Sequence, residues 1–409
     1  MDKTDRTERK KQANAGAAVR IVIWLLVLGL LGGLFAVCLM GYYGGGENDG
    51  WFPQILNLGF ANSYWYDDSD YSVGDHAFTE RITALDIDWL AGSVTIVPGE
   101  GDTLTIHEES PKGDIDTSDQ LRWCMADGKL TVKFCGPARL LAFHIPEKRL
   151  TVTVPAAWLE DMPSVKLDTA SASVKVNGLL AERLDVDTAS GDITLTDVTV
   201  HKLDVNTTSG QVQVTNASAD VADVDTTSGG VFLSGYLREV DVDTVSGGVE
   251  LTLFGKAYEI SIDTTSGKTT VEGYAYIMNI GTVSGQVNLT LTGEAGEVSV
   301  SSTSGDISVT GAADEVDLDT TSGTMTLTLT KAARRVSAES VSGRLDVHLS
   351  ATVPGFAVNM DSVSGELTVN GFATQGGNRH RVYGDSSMTI DCDTVSGNVT
   401  ISNDAEGTN

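Results

Sequence analysis

Along most of the chain apolar and polar residues alternate, and small-residue corners interrupt the alternation at regular intervals. In Leu184-Asp185-Val186-Asp187-Thr188 every second position points one way, and Asp192-Ile193-Thr194-Leu195-Thr196 repeats the pattern. A period of two marks a strand with one buried face. Ser190-Gly191 lies between the two runs and predicts a tight corner. Gly takes backbone angles that other residues resist, and Ser can bond its own backbone there. Two strands of about five residues and two short corners fill the repeat. No helix fits in the remainder, which excludes βαβ crossovers.

The unit returns down the chain. The Ser of a Thr/Ser-x-Ser-Gly signature stands at 190, 209, 228, 246, 266, 284, 304, 322, 342, 364 and 396, with a degenerate copy at Ser171. A period of about 19 residues is that of a solenoid. The fold class expected is all-β: a parallel β-solenoid of about 19-residue coils, right-handed by the default for parallel crossovers, preceded by one transmembrane helix. Leu184/Val186, Leu203/Val205, Val240/Val242, Ile260/Ile262, Val298/Val300 and Val316/Leu318 should stack as inward aliphatic ladders. Thr188, Thr207, Thr226, Thr244, Thr264, Thr320 and Thr394 also point inward, as a hydroxyl ladder bonding coil to coil and closing the turn. The corner residues assigned a structural role are Ser190, Gly191, Ser209, Gly210, Ser228, Gly229, Ser246, Gly247, Ser266, Gly267, Ser322 and Gly323.

Outside the repeats the pattern changes. Residues 1–20 form a basic tail, read as cytoplasmic. Ile21 to Met40 carries no charge, and 21–43 is read as a single membrane-spanning helix with Trp24, Tyr42 and Tyr43 at its interfaces. A cleaved signal peptide is the rival reading, although the apolar core is long and no small-x-small site follows. A lipoprotein is a third, but FAVC at 35–38 is a poor lipobox because Val37 replaces a small residue. All three export the solenoid. Residues 44–81 form a Gly-rich and aromatic linker or cap, with Trp51, Phe52, Phe60, Tyr64, Trp65, Tyr66 and Tyr71. Residues 82–165 read as irregular opening coils, with an excursion at 108–128 and a hairpin turn at Asp127-Gly128. The regular solenoid spans 166–402, with an insertion at 371–384 that holds Arg379, His380 and Arg381, and 403–409 is a tail.

Charge narrows the partners. Lys and Arg number 27 against 56 Asp and Glu, for a formal charge of −29. Nucleic acid and anionic lipid are therefore disfavoured for the bulk of the chain. Outward Asp residues recur on the leading strand of each coil. Stacked carboxylates repel one another, and a hard cation would relieve them. Asp187, Asp225, Asp243, Asp263 and Asp319 are the divalent-cation candidates, against the plainer reading of a solvated acidic face. The six His are isolated, and no HExxH, CxxC, GxSxG or P-loop is present. The recurring Ser is a corner residue rather than a nucleophile, since a catalytic Ser is singular and has a base beside it. No enzyme and no cofactor are expected. Cys124 and Cys135 flank the Asp127-Gly128 turn without standing directly opposite, which leaves a disulfide open. Cys392 reads as a buried apolar filler.

ALDIDWLAGSVTI at 84–96, the strand LTVTVP at 150–155, the iterated TxSG coils and the closing coil after Gly384 together resemble the bacterial putative-adhesin family of β-strand-repeat domains of unknown function. The resemblance covers about residues 82 to 402 and implies the solenoid fold, a bacterial origin and no catalytic residues. The function expected is a membrane-anchored, extracytoplasmic, non-catalytic binding or adhesion module of the cell envelope. Its partners would be the membrane through 21–43 and a cell-wall polymer or envelope protein. The alternatives are an envelope-stress sensor or regulator, or a structural protein that self-associates through its terminal coils.

Overall fold

Each repeat folds as a leading strand, a Ser-Gly corner and a trailing strand, and the next repeat lies beside it in parallel. The computed structural model describes residues 66–137, 146–159 and 162–403. Leu180–Thr188 places Leu184, Val186 and Thr188 opposite Leu203, Val205 and Thr207 of the next coil, and these meet Ala222, Val224 and Thr226 of the one after. The trailing strands keep step, with Ile193 opposite Val212 and Leu195 opposite Val214. Two parallel sheets thus face each other and share one core. The six aliphatic pairs read from the alternation, which stack into two ladders, are all buried. Each such side chain contributes on the order of 1.5–3 kcal/mol. From Val212 onward a trailing strand often runs unbroken into the next leading strand, as in Val212–Thr226.

The corners work differently from the expectation. None of the signature glycines has a positive φ; what they supply is closeness. A Cβ on Gly210 would lie 1.9 Å from the carbonyl oxygen of Gly191, and one on Gly229 would lie 1.9 Å from that of Gly210. The glycines form a column with no room for a side chain. The Ser hydroxyl bonds the coil before rather than its own backbone: Ser228 Oγ donates to the Thr208 carbonyl at 3.2 Å. The Thr hydroxyl closes its own turn, with Thr226 Oγ1 accepting from Gly229 N–H at 3.0 Å. Bonds from coil to coil at the corner come from the Ser and the backbone, as in Ser228 N–H to Thr208 O at 3.0 Å.

The opposite corner accounts for the uneven period. Between Ser228 and Ser322 the signature spacing alternates 18, 20, 18, 20, 18. The short coils turn on Gly235, Gly273 and Gly311, all at positive φ. The longer ones carry two extra residues, seen as register shifts between Gly235 and Glu239 and between Gly273 and Ile277. Phe254-Gly255 and Thr292-Gly293 lie in these bulges.

At both ends the stacking order departs from the chain order. The first coil, 84–99, is followed in sequence by strands Lys129–Lys133 and Lys148–Pro155, which lie on its outer side. The chain then crosses back, and Met162–Thr169 and Ser173–Asn177 pair with the first coil's other side. The last coil mirrors this. Met388–Thr394 and Val399–Asn403 insert between the coil at 335–349 and the coil at 355–370. Antiparallel strands cover most outer edges: Arg122–Ala126 on Lys129–Lys133, Leu104–Glu109 on Lys148–Pro155, and His380–Gly384 on Gly355–Ser362. The excursion expected at 108–128 and the insertion expected at 371–384 both supply parts of these covers. Asp127-Gly128 forms the hairpin turn, with both residues at positive φ.

Among the described residues no helix is long and apolar enough to cross a membrane. The expected tail at 1–20, span at 21–43 and most of the linker at 44–81 lie outside the described residues, as do 404–409. Tyr66 belongs to the described part of the aromatic stretch. Its hydroxyl donates to the Cys135 carbonyl at 2.8 Å, and its ring lies 5.7 Å from Lys133 Nζ. Burial first, and Asp68 next, raise its ionisation well above the usual tyrosine range. Cys124 and Cys135 are free thiols. Cys392 is buried as expected, and burial pushes its thiol up to about 12.

Candidate functional site

The acidic positions form two rows on the leading sheet. In one row Asp168, Asp187, Asn206, Asp225, Asp243 and Asp263 follow one another coil by coil. Gly281 and Ser301 then intervene before Asp319. The structure therefore brings Asp225, Asp243 and Asp263 together in sequence. It separates Asp187 from them by Asn206, and Asp319 by Gly281 and Ser301. Asn206 Nδ2 donates to Asp187 at 2.9 Å and to Asp204 at 3.0 Å, relieving the row at that step. Burial raises the Asp187 carboxyl, Asn206 opposes the shift, and Asp168 adds to it.

The one cluster of three carboxylates within ligand reach among the described residues is Asp86, Asp88 and Asp168, whose oxygens lie within 4.8 Å of one another. None of the five predicted cation candidates belongs to it. Lysines answer these acids: Lys129 Nζ lies 2.5 Å from Asp86, and Lys133 is ion-paired with Asp88. Burial pushes Asp88 up to about 6 even though Lys133 pulls it down. Nearby, Lys148 is wholly buried. Its Nζ donates to Glu108 at 2.7 Å and to the Asp119 carbonyl at 2.6 Å, and it lies 4.2 Å from the centre of the Phe134 ring. Burial lowers Lys148 and raises Glu108. These groups tie the outer N-terminal coil to the first coil and use up their hydrogen bonds in doing so.

The surface that remains unexplained by packing lies on the opposite corner of the central coils. Tyr236, Phe254, Tyr258 and Tyr276 are exposed there, at 61%, 47%, 47% and 56%. They form two pairs between neighbouring coils: Tyr236 meets Phe254 edge-on at 5.7 Å, and Tyr258 lies 6.3 Å from Tyr276. Two cations lie among the rings. The Arg238 guanidinium is 5.6 Å from the centre of Tyr258, and Lys256 Nζ is 3.7 Å from Tyr276 and 6.0 Å from Tyr274. Glycines make room for the rings: a Cβ on Gly255 would lie 3.3 Å from Tyr236, and one on Gly293 would lie 2.7 Å from Tyr274. The strip forms one end of an open groove of about 420 Å³ that runs from Leu180 to Lys256. In it His201 Nδ1 lies 2.7 Å from Asp220, whose carboxylate raises the imidazole.

The sequence reading did not single out these residues. A signal was present: aligned on the signature, SGYLREV, LFGKAYEI and GYAYIMNI put Tyr, Arg and Lys at one corner in consecutive coils. Neighbouring coils place Glu182, His201, Asp220, Glu294 and Asp314 near the same corner.

The sequence profile of the family described as Toastrack DUF4097 matches residues 82–294 and 275–402. Nothing among the curated proteins matches. Solved structures that are similar include two named as adhesion proteins. One is a putative cell adhesion protein from Clostridium sporogenes ATCC 15579, at 10% identity and a TM-score of 0.15, covering 81% of this chain and 100% of that one. The other is a putative adhesin from Bacteroides fragilis NCTC 9343, at 11% identity and a TM-score of 0.20, covering 81% of this chain and 97% of that one.

Proposed function

The chain belongs to the Toastrack DUF4097 family, and from that premise we propose that it is a non-catalytic binding module of the bacterial cell envelope. In this reading the apolar run at 21–43 anchors it in the membrane and the solenoid lies outside the cytoplasm. The anchor rests on the uncharged run after a basic tail, which orients such a span with its N-terminus inside. The observation that carries the binding role is the strip of Tyr236, Tyr258 and Tyr276 with Arg238 and Lys256. It is an exposed aromatic and cationic surface on a chain of formal charge −29. Exposed rings in a group mark contact sites rather than packing. A solenoid suits this role, because stacked coils bring residues from successive repeats side by side on one extended surface.

The test is cosedimentation of the full-length chain, held in detergent micelles so that the 21–43 run is occupied, with washed, membrane-free bacterial envelope fragments. Retention above that of an unrelated acidic protein is expected. Recovery of the chain in the supernatant at low and at moderate salt would contradict the reading.

A further inference from the structure

Resting on that reading, we infer that the strip takes an acidic polysaccharide, a chain of sugar rings bearing carboxylates such as a polyuronate. The inference starts from Lys256. Its ammonium is held over Tyr276 and Tyr274 and makes no ion pair among the described residues. Cations farther along the same side of the stack are matched: Lys331 lies 3.0 Å from Glu294, and Arg334 lies 3.4 Å from Asp314 and pairs with Glu315. Arg238 is shared between Tyr258 and Glu239, the latter at 3.1 Å. The strip thus holds a cation whose charge no neighbouring carboxylate answers, in a molecule otherwise rich in carboxylates.

The rings set the second requirement. Tyrosine presents a flat apolar face and a polar tip, which suits the apolar face of a pyranose with hydroxyls at its rim. The rings form two pairs, each reaching from one coil to the next, Tyr236 with Phe254 at 5.7 Å and Tyr258 with Tyr276 at 6.3 Å, and neighbouring coils are about 4.8 Å apart. That step is close to the advance of one sugar unit in an extended chain. Arg238 and Lys256 stand on consecutive coils, so a ligand with one carboxylate per sugar ring meets both cations beside the ring pairs. A duplex nucleic acid also has rings and charge, but it carries about one charge per 1.7 Å of its length, far more than two cations answer on a chain of formal charge −29. Gly255 and Gly293 leave room for this arrangement, because a Cβ at either would press on the ring of Tyr236 or Tyr274.

The experiment is titration of the full-length chain with hexagalacturonate and with its fully methyl-esterified, uncharged form. Binding of the acidic form at least about tenfold tighter is expected, weakening as salt rises. Lys256→Glu should lower acidic binding by about tenfold or more, and Lys256→Arg should restore most of it. Tyr276→Ala should weaken both forms. These positions are exposed, and far-UV circular dichroism checks that each variant folds. Equal binding of both forms, or no effect of Lys256→Glu, would overturn the acidic-polysaccharide assignment while leaving the binding strip. No binding of either form would overturn it as well. The envelope cosedimentation then separates the two failures: retention there keeps the module reading, and its loss removes both.

Discussion

The hydroxyl of Ser402 lies 2.9 Å from Nδ1 of His348, although 54 residues separate them. The pair follows from the insertion of the last coil between the two that precede it. Asp346 faces Thr400, and Thr400 faces Thr368 on its other side. A chain stacked in sequence order would place Asp346 beside Thr368 instead. The cysteine pairs Asp346→Cys/Thr400→Cys and Thr368→Cys/Thr400→Cys should cross-link readily under oxidation, and Asp346→Cys/Thr368→Cys should not. Rapid cross-linking of that last pair would refute the permuted order.

The glycine column makes a contrast between neighbours. Gly210→Ala forces a methyl to within 1.9 Å of the Gly191 carbonyl and should cost about 1–3 kcal/mol or more. Ser228→Ala removes one exposed hydroxyl bond to Thr208 and should cost about 1 kcal/mol or less. Urea denaturation of both variants checks the order. A Gly210→Ala variant as stable as the parent would mean the corner can open.

Thr269 stands in the trailing sheet between Val249 and Val287. It is fully buried and its hydroxyl finds no hydrogen-bond partner. Thr269→Val keeps the shape and removes the orphan. It should stabilise by about 1 kcal/mol, within the cost of an unsatisfied buried hydroxyl. A loss of stability in a thermal melt would show that the hydroxyl is satisfied.

The N-terminal coils should respond to pH through Asp88. Burial pushes its carboxyl from 3.8 up to about 6, so the folded state holds the proton more tightly than the unfolded one. The resulting stabilisation is complete below the unfolded value and is lost as pH rises through about 6. Self-repulsion of the acidic surface adds a slope of the same sign, so the comparison must be made against Asp88→Asn. The wild-type midpoint should fall by a few degrees more than that of the variant between pH 4 and pH 7. Parallel curves would remove Asp88 from the account.

The legible and illegible parts of this chain divide by mechanism. Alternation in LDVDT and DITLT was enough for strands, facing sheets and the inward ladder, because burial follows a period of two wherever one face is covered. The corner at Ser190-Gly191 was readable in place but not in cause. A need for positive φ and a need for close approach both select Gly, and only the column of carbonyls separates them. The permuted ends were not readable, since LTVTVP and DCDTVSG carry the same local pattern whichever neighbour they join. The aromatic strip was visible only as a departure from the repeat. Tyr236, Lys256 and Tyr276 occupy a corner that other coils fill with acids, and alternation carries no weight at a corner.

The measurement that bears most directly on the account compares three full-length proteins, held in detergent micelles, in one cosedimentation with membrane-free cell-wall fragments: the wild type, Tyr236→Ala/Lys256→Glu/Tyr276→Ala, and Asp187→Asn/Asp225→Asn/Asp243→Asn. The account predicts that the strip variant is lost to the supernatant and that the acidic-row variant is retained like the wild type. Retention of the strip variant with loss of the acidic-row variant would contradict it and move the working surface to the carboxylate rows.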